Sequence, residues 1–310
     1  MGTISGQGII VGILATGIRL AAPFLYASLG EMFAQRSGVF NLGLEGIMMM
    51  GAFTGFMTSL GTGSPFLGVL AAIAVGASLG LLMAFISVTM QAEQGISGIG
   101  LHMFCWGLSG LLFRVYLGFI TSCKGFGPWN IPVLSEIPFL GPVLFQHNWM
   151  VYFSLLLVPV SWFVLYRTTW GLKVRAVGTT PQAADTLGVD VNAIRYQCVV
   201  LGGAMAGLAG AFLTVGQANM YADNITAGRG FIAVALVYFG RWSPVGILLG
   251  SLLFSMMNAL QLWIQVLGIS FPYEFAVILP YVMTIAALAV AVRRVWAPTA
   301  LGKPFRREAG

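Results

Sequence analysis

The chain has 310 residues, of which 58% are hydrophobic and only 8% charged, with a formal net charge of +6. The apolar residues fall in runs too long for soluble core helices, and the segments between them reach only about thirty residues, too few to bury a core of their own. An aqueous domain is therefore excluded, and 1–310 reads as a single all-α domain, a polytopic transmembrane helical bundle.

The basic residues give the orientation. Of the 15 Lys and Arg, eleven occupy four segments: Arg36; Arg167, Lys173, Arg175 and Arg195; Arg241; and Arg293, Arg294, Lys303, Arg306 and Arg307. Placing all four segments in the cytoplasm satisfies the positive-inside rule, so the charge implies membrane lipid as a partner, not nucleic acid. Spans are expected at roughly 8–30, 39–61, 65–90, 95–118, 149–166, 196–218, 228–240, 243–267 and 272–293, about nine in all. The N-terminus is then outside and the tail, 294–310, cytoplasmic. No basic cluster or small-residue cleavage site marks the first block, which reads as a retained span.

Asn41 and Glu45 stand four apart in the second span and hence on one helical face. A carboxylate several residues into a span is costly. It either pairs, with Arg19 as the nearest candidate in sequence, or lines a pathway. Gly51 and Gly55, Gly76 and Gly80, and Gly203 and Gly207 are also four apart, and GGAMAGLAGA at 202–211 gives nearly a whole small face. Close helix packing is expected there.

Gly107-Leu108-Ser109-Gly110 resembles the nucleophile motif of rhomboid proteases, but a serine nucleophile needs an imidazole within reach. His102 is about 10 Å away along the same helix, and His147 lies at the end of a span. The external loop 119–148, with four prolines, keeps Phe126, Trp129 and Phe139 and reads as a plain loop or as a segment folded back on the bilayer.

The central loop, 167–195, contains one short helix: Thr180 as N-cap, Pro181 at the first helical position, and Gly188 closing it in a left-handed conformation. A helix of that length does not persist alone in water, so it needs something to dock against. The 228–240 block is too short to cross and is followed by Arg241-Trp242-Ser243-Pro244, which suggests a half-helix buried in protein. Along 243–267, Ser251, Ser255, Asn258, Gln261 and Gln265 share one sector, suited either to a polar path or to hydrogen bonds between helices. No GxxxxGK[ST] loop or HExxH motif occurs, and Cys105, Cys123 and Cys198 are scattered, so neither ATP hydrolysis nor a metal site is expected in this chain.

SGVFNLGLEGIMMMGAF, GLKVRAVGTTPQAADTLGV and TAGRGFIAVALVYFGRWSPVG together resemble the inner-membrane permeases of ATP-binding-cassette importers, in the branch serving simple sugars, branched-chain amino acids and nucleosides. The resemblance runs from about Leu20 to Val292, and Thr226 to Gly246 looks most like the nucleoside (guanosine-type) permeases. It implies that Gly178 to Gly188 couples to an ATPase, with Arg175, Gly178, Thr180, Pro181, Ala183, Ala184 and Gly188 in that role. The partners it implies are an ABC ATPase with two nucleotide sites holding ATP and Mg2+, a second permease in a heterodimer, and an extracytoplasmic substrate-binding lipoprotein. The expected function is a nucleoside permease subunit of the prokaryotic inner membrane, not an enzyme, with no cofactor of its own. Asn41, Glu45, Asn258 and Gln261 are the candidates for its translocation pathway. A simple-sugar (ribose-type) permease is the alternative, with a stand-alone channel or secondary carrier behind it.

Overall fold

The computed structural model describes residues 6–118, 122–130, 135, 137–266, 278, 282 and 297–306. The expected span at 272–293 lies outside them except for residues 278 and 282, and Arg293, Arg294 and Arg307 lie outside as well. Helix α1 (Gly6–Arg36) has 31 residues, about 46 Å at roughly 1.5 Å per residue, and runs past the expected edge at 30. It is followed by α2 (Leu44–Thr62), α3 (Pro65–Ala84) with a π-helical end (Phe85–Thr89), and α4 (Gln94–Tyr116). Next come α5 (Leu140–Leu144), α6 (Trp149–Arg167), α7 (Thr169–Thr179) and α8 (Pro181–Thr186). The described part closes with α9 (Val191–Ala211), prolonged as a π-helix (Phe212–Ala218), then α10 (Arg229–Phe239) and α11 (Pro244–Val266).

Among the described residues, six helices are long and apolar enough to cross a membrane, fewer than the nine expected. Two expected spans fall short for physical reasons. α2 is diluted by Glu45, Thr54, Thr58, Ser59 and Thr62 and begins deep inside, after an irregular, buried stretch at 37–43. α10 has 11 residues, about 16 Å, roughly half of a hydrocarbon core of about 30 Å.

The small-residue faces meet where the sequence places them. α9 lies between α1, α2 and α3, and a Cβ added at Gly207 would come within 2.1 Å of the Ala72 carbonyl oxygen of α3. At Gly210 it would come within 1.9 Å of the Met48 carbonyl of α2. Without those glycines the backbones could not approach, and the dispersion contacts that hold helices together in lipid would be lost. α4 instead exposes Ile96, Met103, Phe104, Leu111 and Val115, an apolar surface suited to lipid.

The described part of the 119–148 connection is no plain loop. Its strands β1 (Trp129–Asn130) and β2 (Gln146–His147) pair antiparallel. The Phe126 and Cys123 amides donate to the Val215 and Asn219 carbonyls at the π-helical end of α9.

Candidate functional site: a docking helix tied to a broken span

Helix α8 is built as its sequence suggests, with one correction. Pro181 stands at its first position, and Thr180 occupies the N-cap, but the Thr180 hydroxyl makes no capping bond; its carbonyl accepts from the Ala184 amide at 3.0 Å. Gly188, at φ +80°, ends the helix, its amide bonding the Asp185 carbonyl while Val189 bonds that of Ala184. Pro181 and Ala184 are buried against the chain, whereas Gln182, Ala183, Thr186 and Leu187 point away from it. Leu187 is 84% exposed. Ala184 was expected at a partner surface; with one face of so short a helix needed to seat it on its own chain, Ala184 belongs to that seat.

The helix before α8, unforeseen in the sequence, seats it. In α7, Arg175 folds back so that its guanidinium lies 5.3 Å from the Tyr166 ring, away from α8. Gly178 packs directly on the end of α1: a Cβ there would lie 1.9 Å from the Arg36 carbonyl oxygen.

Residues 297–306 then lace this end together. The Ala300 amide donates to the Gly178 carbonyl (3.0 Å) and the Gly302 amide to that of Gly38 (3.1 Å). The Thr299 hydroxyl donates to the Thr179 carbonyl, and Gln91 Nε2 to that of Phe305 (3.0 Å). Arg195, expected in the loop, lies instead on the second turn of α9 and is buried. It donates to the Ser37 carbonyl (3.2 Å) and the Lys303 carbonyl (3.0 Å), so its charge is spent on holding two connections rather than facing water.

The same knot reaches α10. Arg36 Nε and Nη2 donate to the Trp242 carbonyl at 2.9 and 2.8 Å, and Trp242 Nε1 donates to Gln35 Oε1 at 2.8 Å. Arg241 and Trp242 both adopt φ +53°, a strained conformation for bulky residues, at the tight turn from α10 into α11. Arg36, the α7–α8 connection, the 240–243 turn and the tail thus gather at one end of the bundle.

Glu45 anchors the other end of α10. Its carboxylate accepts from Thr226 Oγ1 (2.6 Å), the Gly228 amide (2.8 Å) and the Gly230 amide, taking up donors that the start of a helix leaves open. Two expectations are corrected here. Glu45 does not pair with Arg19: its carboxylate is taken up by the Thr226 hydroxyl and the Gly228 and Gly230 amides. Nor do Asn41 and Glu45 share a helical face, because α2 begins at Leu44. Asn41 sits in the irregular stretch, its side chain accepting from the Gly43 amide while its own amide donates to Glu31 Oε1. Both residues are buried braces, not lining groups.

Asn258 and Gln261, by contrast, line a cavity of about 260 Å3 with Leu20, Phe24 and Arg229, beside the start of α10. Leu20 and Phe24 precede Arg36 by 12 to 16 residues, so this cavity lies about 18–24 Å along α1 from the knot. The α11 stripe therefore divides. Ser251 and Ser255 are buried in packing, Gln265 is exposed at the helix end, and only the middle pair reaches the cavity.

Sequence reading missed Glu31. It is wholly buried, its Oε1 accepting from Gln35 Nε2 (2.9 Å) and the Asn41 amide (3.1 Å). Its signal was an acid one residue beyond the expected edge of the first span. Ser109, in the GLSG motif, donates to the Trp106 carbonyl at 3.0 Å, an ordinary bond within its helix.

Spanning helices packed through glycine, a helix too short to cross beside a polar cavity, and a short helix with an uncovered face at one end fit a membrane permease. The chain belongs to the branched-chain amino acid transport system / permease component family, whose model matches residues 13–288. It is 37% identical to a Haloferax volcanii permease protein named for a glucose ABC transporter, over 96% of this chain and 98% of the relative. It is 36% identical to a nucleoside ABC transporter permease protein of Lactococcus lactis, over 94% and 95% respectively. It is also 36% identical to a guanosine ABC transporter permease protein of Bacillus subtilis, over 92% and 93%. A second permease protein from each of these organisms matches at 24%, 23% and 26% identity, in the same order. No solved structure matches the chain at a significant level.

Proposed function

We propose that this chain is one permease subunit of an ABC importer for nucleosides, driven by a separate ATPase that grips α8 from the cytoplasm. The observation that carries this reading is the position of α8: a helix of 6 residues with an uncovered face, its connection to α7 packed on the end of α1. Movement of α8 passes through Gly178 to Arg36, and from Arg36 through the Trp242 carbonyl to the base of α10. α10 borders the cavity holding Asn258 and Gln261, so the same movement alters the path that solute takes. ATP and Mg2+ act on the ATPase, and alternating access follows from the swing of the broken span.

Two relatives named for nucleoside or guanosine transport support that solute class. The matches to two unequal permeases within single organisms support a heterodimer with a second, more distant permease. A substrate-binding lipoprotein would deliver solute from outside. A sugar importer is the second reading, favoured by the relative from Haloferax volcanii. Proteoliposomes carrying both permeases, the ATPase and the lipoprotein discriminate between these readings. ATP-dependent uptake of labelled guanosine, not of glucose, is expected; glucose uptake alone would transfer the chain to the sugar branch, and flux from the chain alone without ATP would refute the importer.

A further inference from the structure

A second cavity, of about 370 Å3, lies at the opposite end of α1 from the knot. Thr16 and Arg19 line it from α1, 20 and 17 residues before Arg36, or about 25–30 Å away along the helix. Its far wall is Gln146 and His147 of β2, and Gln217 and Asn219 from the π-helical end of α9. Its size falls within the roughly 300–1,000 Å3 range of small-molecule sites.

The cavity is built, not left over between loops. A π-helix misaligns backbone acceptors, and here the Val215 and Gly216 carbonyls are taken by groups from outside α9. Val215 accepts from the Phe126 amide at 3.1 Å, and Gly216 from Asn148 Nδ2. Those bonds fix the external segment over the cavity and leave Gln217 Oε1 enclosed with no hydrogen-bond partner among the described residues. No acidic residue lines the cavity, and Arg19 is its one formal charge, in no ion pair among the described residues. Burial holds the His147 imidazole below its ordinary value, against a weaker opposite effect of its bond to the Val143 carbonyl, so it is neutral at pH 7.

Such a lining offers strong donors from Arg19 and, just behind the wall, an unpartnered acceptor on Gln217 that a side-chain rotation brings to the cavity, with nothing to attract a cation. We infer that this cavity is an external solute-receiving subsite for a neutral nucleoside, whose ring carbonyl or ring nitrogen accepts from Arg19 and whose sugar hydroxyl donates to Gln217 Oε1. The inference rests on the importer reading above and adds a stopping place before the mid-depth cavity at Asn258. Arg19 is suited to the role because a guanidinium presents paired donors to adjacent ring acceptors.

The test uses the complete importer in nanodiscs, without its lipoprotein, and labelled guanosine as probe. Saturable binding is expected, and Arg19→Gln and Gln217→Leu should each weaken it about tenfold, the cost of stranding one enclosed polar partner. In sealed right-side-out vesicles carrying a variant whose native cysteines are replaced, Ala15→Cys on the same wall should react with a membrane-impermeant thiol reagent added outside, and guanosine should protect it. Protection by ribose or glucose but not by guanosine would sink the nucleoside reading and keep the cavity as a solute site. Absence of protection by all three, labelling only from the other face, or undiminished binding in both variants would overturn the inference.

Discussion

Helices α8 and α10 have 6 and 11 residues, both below the roughly 12–15 at which an isolated helix holds in water, and the chain treats them differently. α10 finds every partner it needs inside the molecule: Glu45 takes the amides at its start, Arg36 takes the Trp242 carbonyl after its end, and the Ser28 hydroxyl bonds its Ala233 carbonyl at 3.0 Å. α8 finds only half. Pro181 and Ala184 seat it, and Leu187 is left in the open. The short helix that is completed internally borders the cavity at Asn258 and Gln261; the one left incomplete is where another protein is expected.

Breaking the completed helix should have the largest effect. Glu45→Ala strands the Gly228 and Gly230 amides and the Thr226 hydroxyl, at about 1–3 kcal/mol for each buried group. A steep fall in melting temperature in detergent is expected, milder in Glu45→Gln, which still offers an acceptor. A Glu45→Ala chain as stable as the parent would mean that α10 is held by something else.

Breaking the incomplete helix should act the opposite way. Leu187→Glu, on a side chain 84% exposed, should leave the melting temperature unchanged while abolishing co-purification of the ATPase and uptake. Ala184→Glu would forfeit both, since Ala184 is buried. If the two variants behaved alike, the two faces of α8 would not be distinct.

Arg195→Met probes the knot under both helices. Losing its bonds to the Ser37 and Lys303 carbonyls should cost about 1–3 kcal/mol and speed hydrogen exchange at the Ala300 and Gly302 amides, which bond Gly178 and Gly38. Unchanged exchange there would detach the tail from the mechanism. The smallest effect is expected at Glu93, the N-cap of α4, whose carboxyl is held below the usual carboxylate range by the Ile96 and Gly95 amides. Because the folded value is lowered, its contribution is present above the ordinary carboxylate range and is lost as pH falls through the lowered value. The small melting difference between parent and Glu93→Gln should vanish in acid; a difference that grew there would reverse the sign.

Features legible in the sequence were those set by neighbours along it. Pro181 and Gly188 mark the ends of α8, the glycine pairs mark the seam around α9, and 228–240 is too short to cross. Illegible were the bonds made at long range. Nothing near Glu45 in sequence points to Gly228, 183 residues away, so Arg19 seemed its natural partner. Arg195 read as a loop cation because its two carbonyl partners come from distant connections, and Glu31 escaped notice because α1 continues six residues past the expected edge. Asn258 and Gln261 could be picked from their stripe, but only the position of α10 separates them from Ser251 and Ser255.

The most direct test of the uncovered face is to place a single cysteine at Leu187→Cys in an otherwise cysteine-free chain and to cross-link the intact importer in its membrane. Cross-linking to the ATPase subunit, with a yield that changes when ATP binds, is the expected result. A cysteine that reacts only with reagents added outside the cell, or that links only to this chain's own helices, would contradict it.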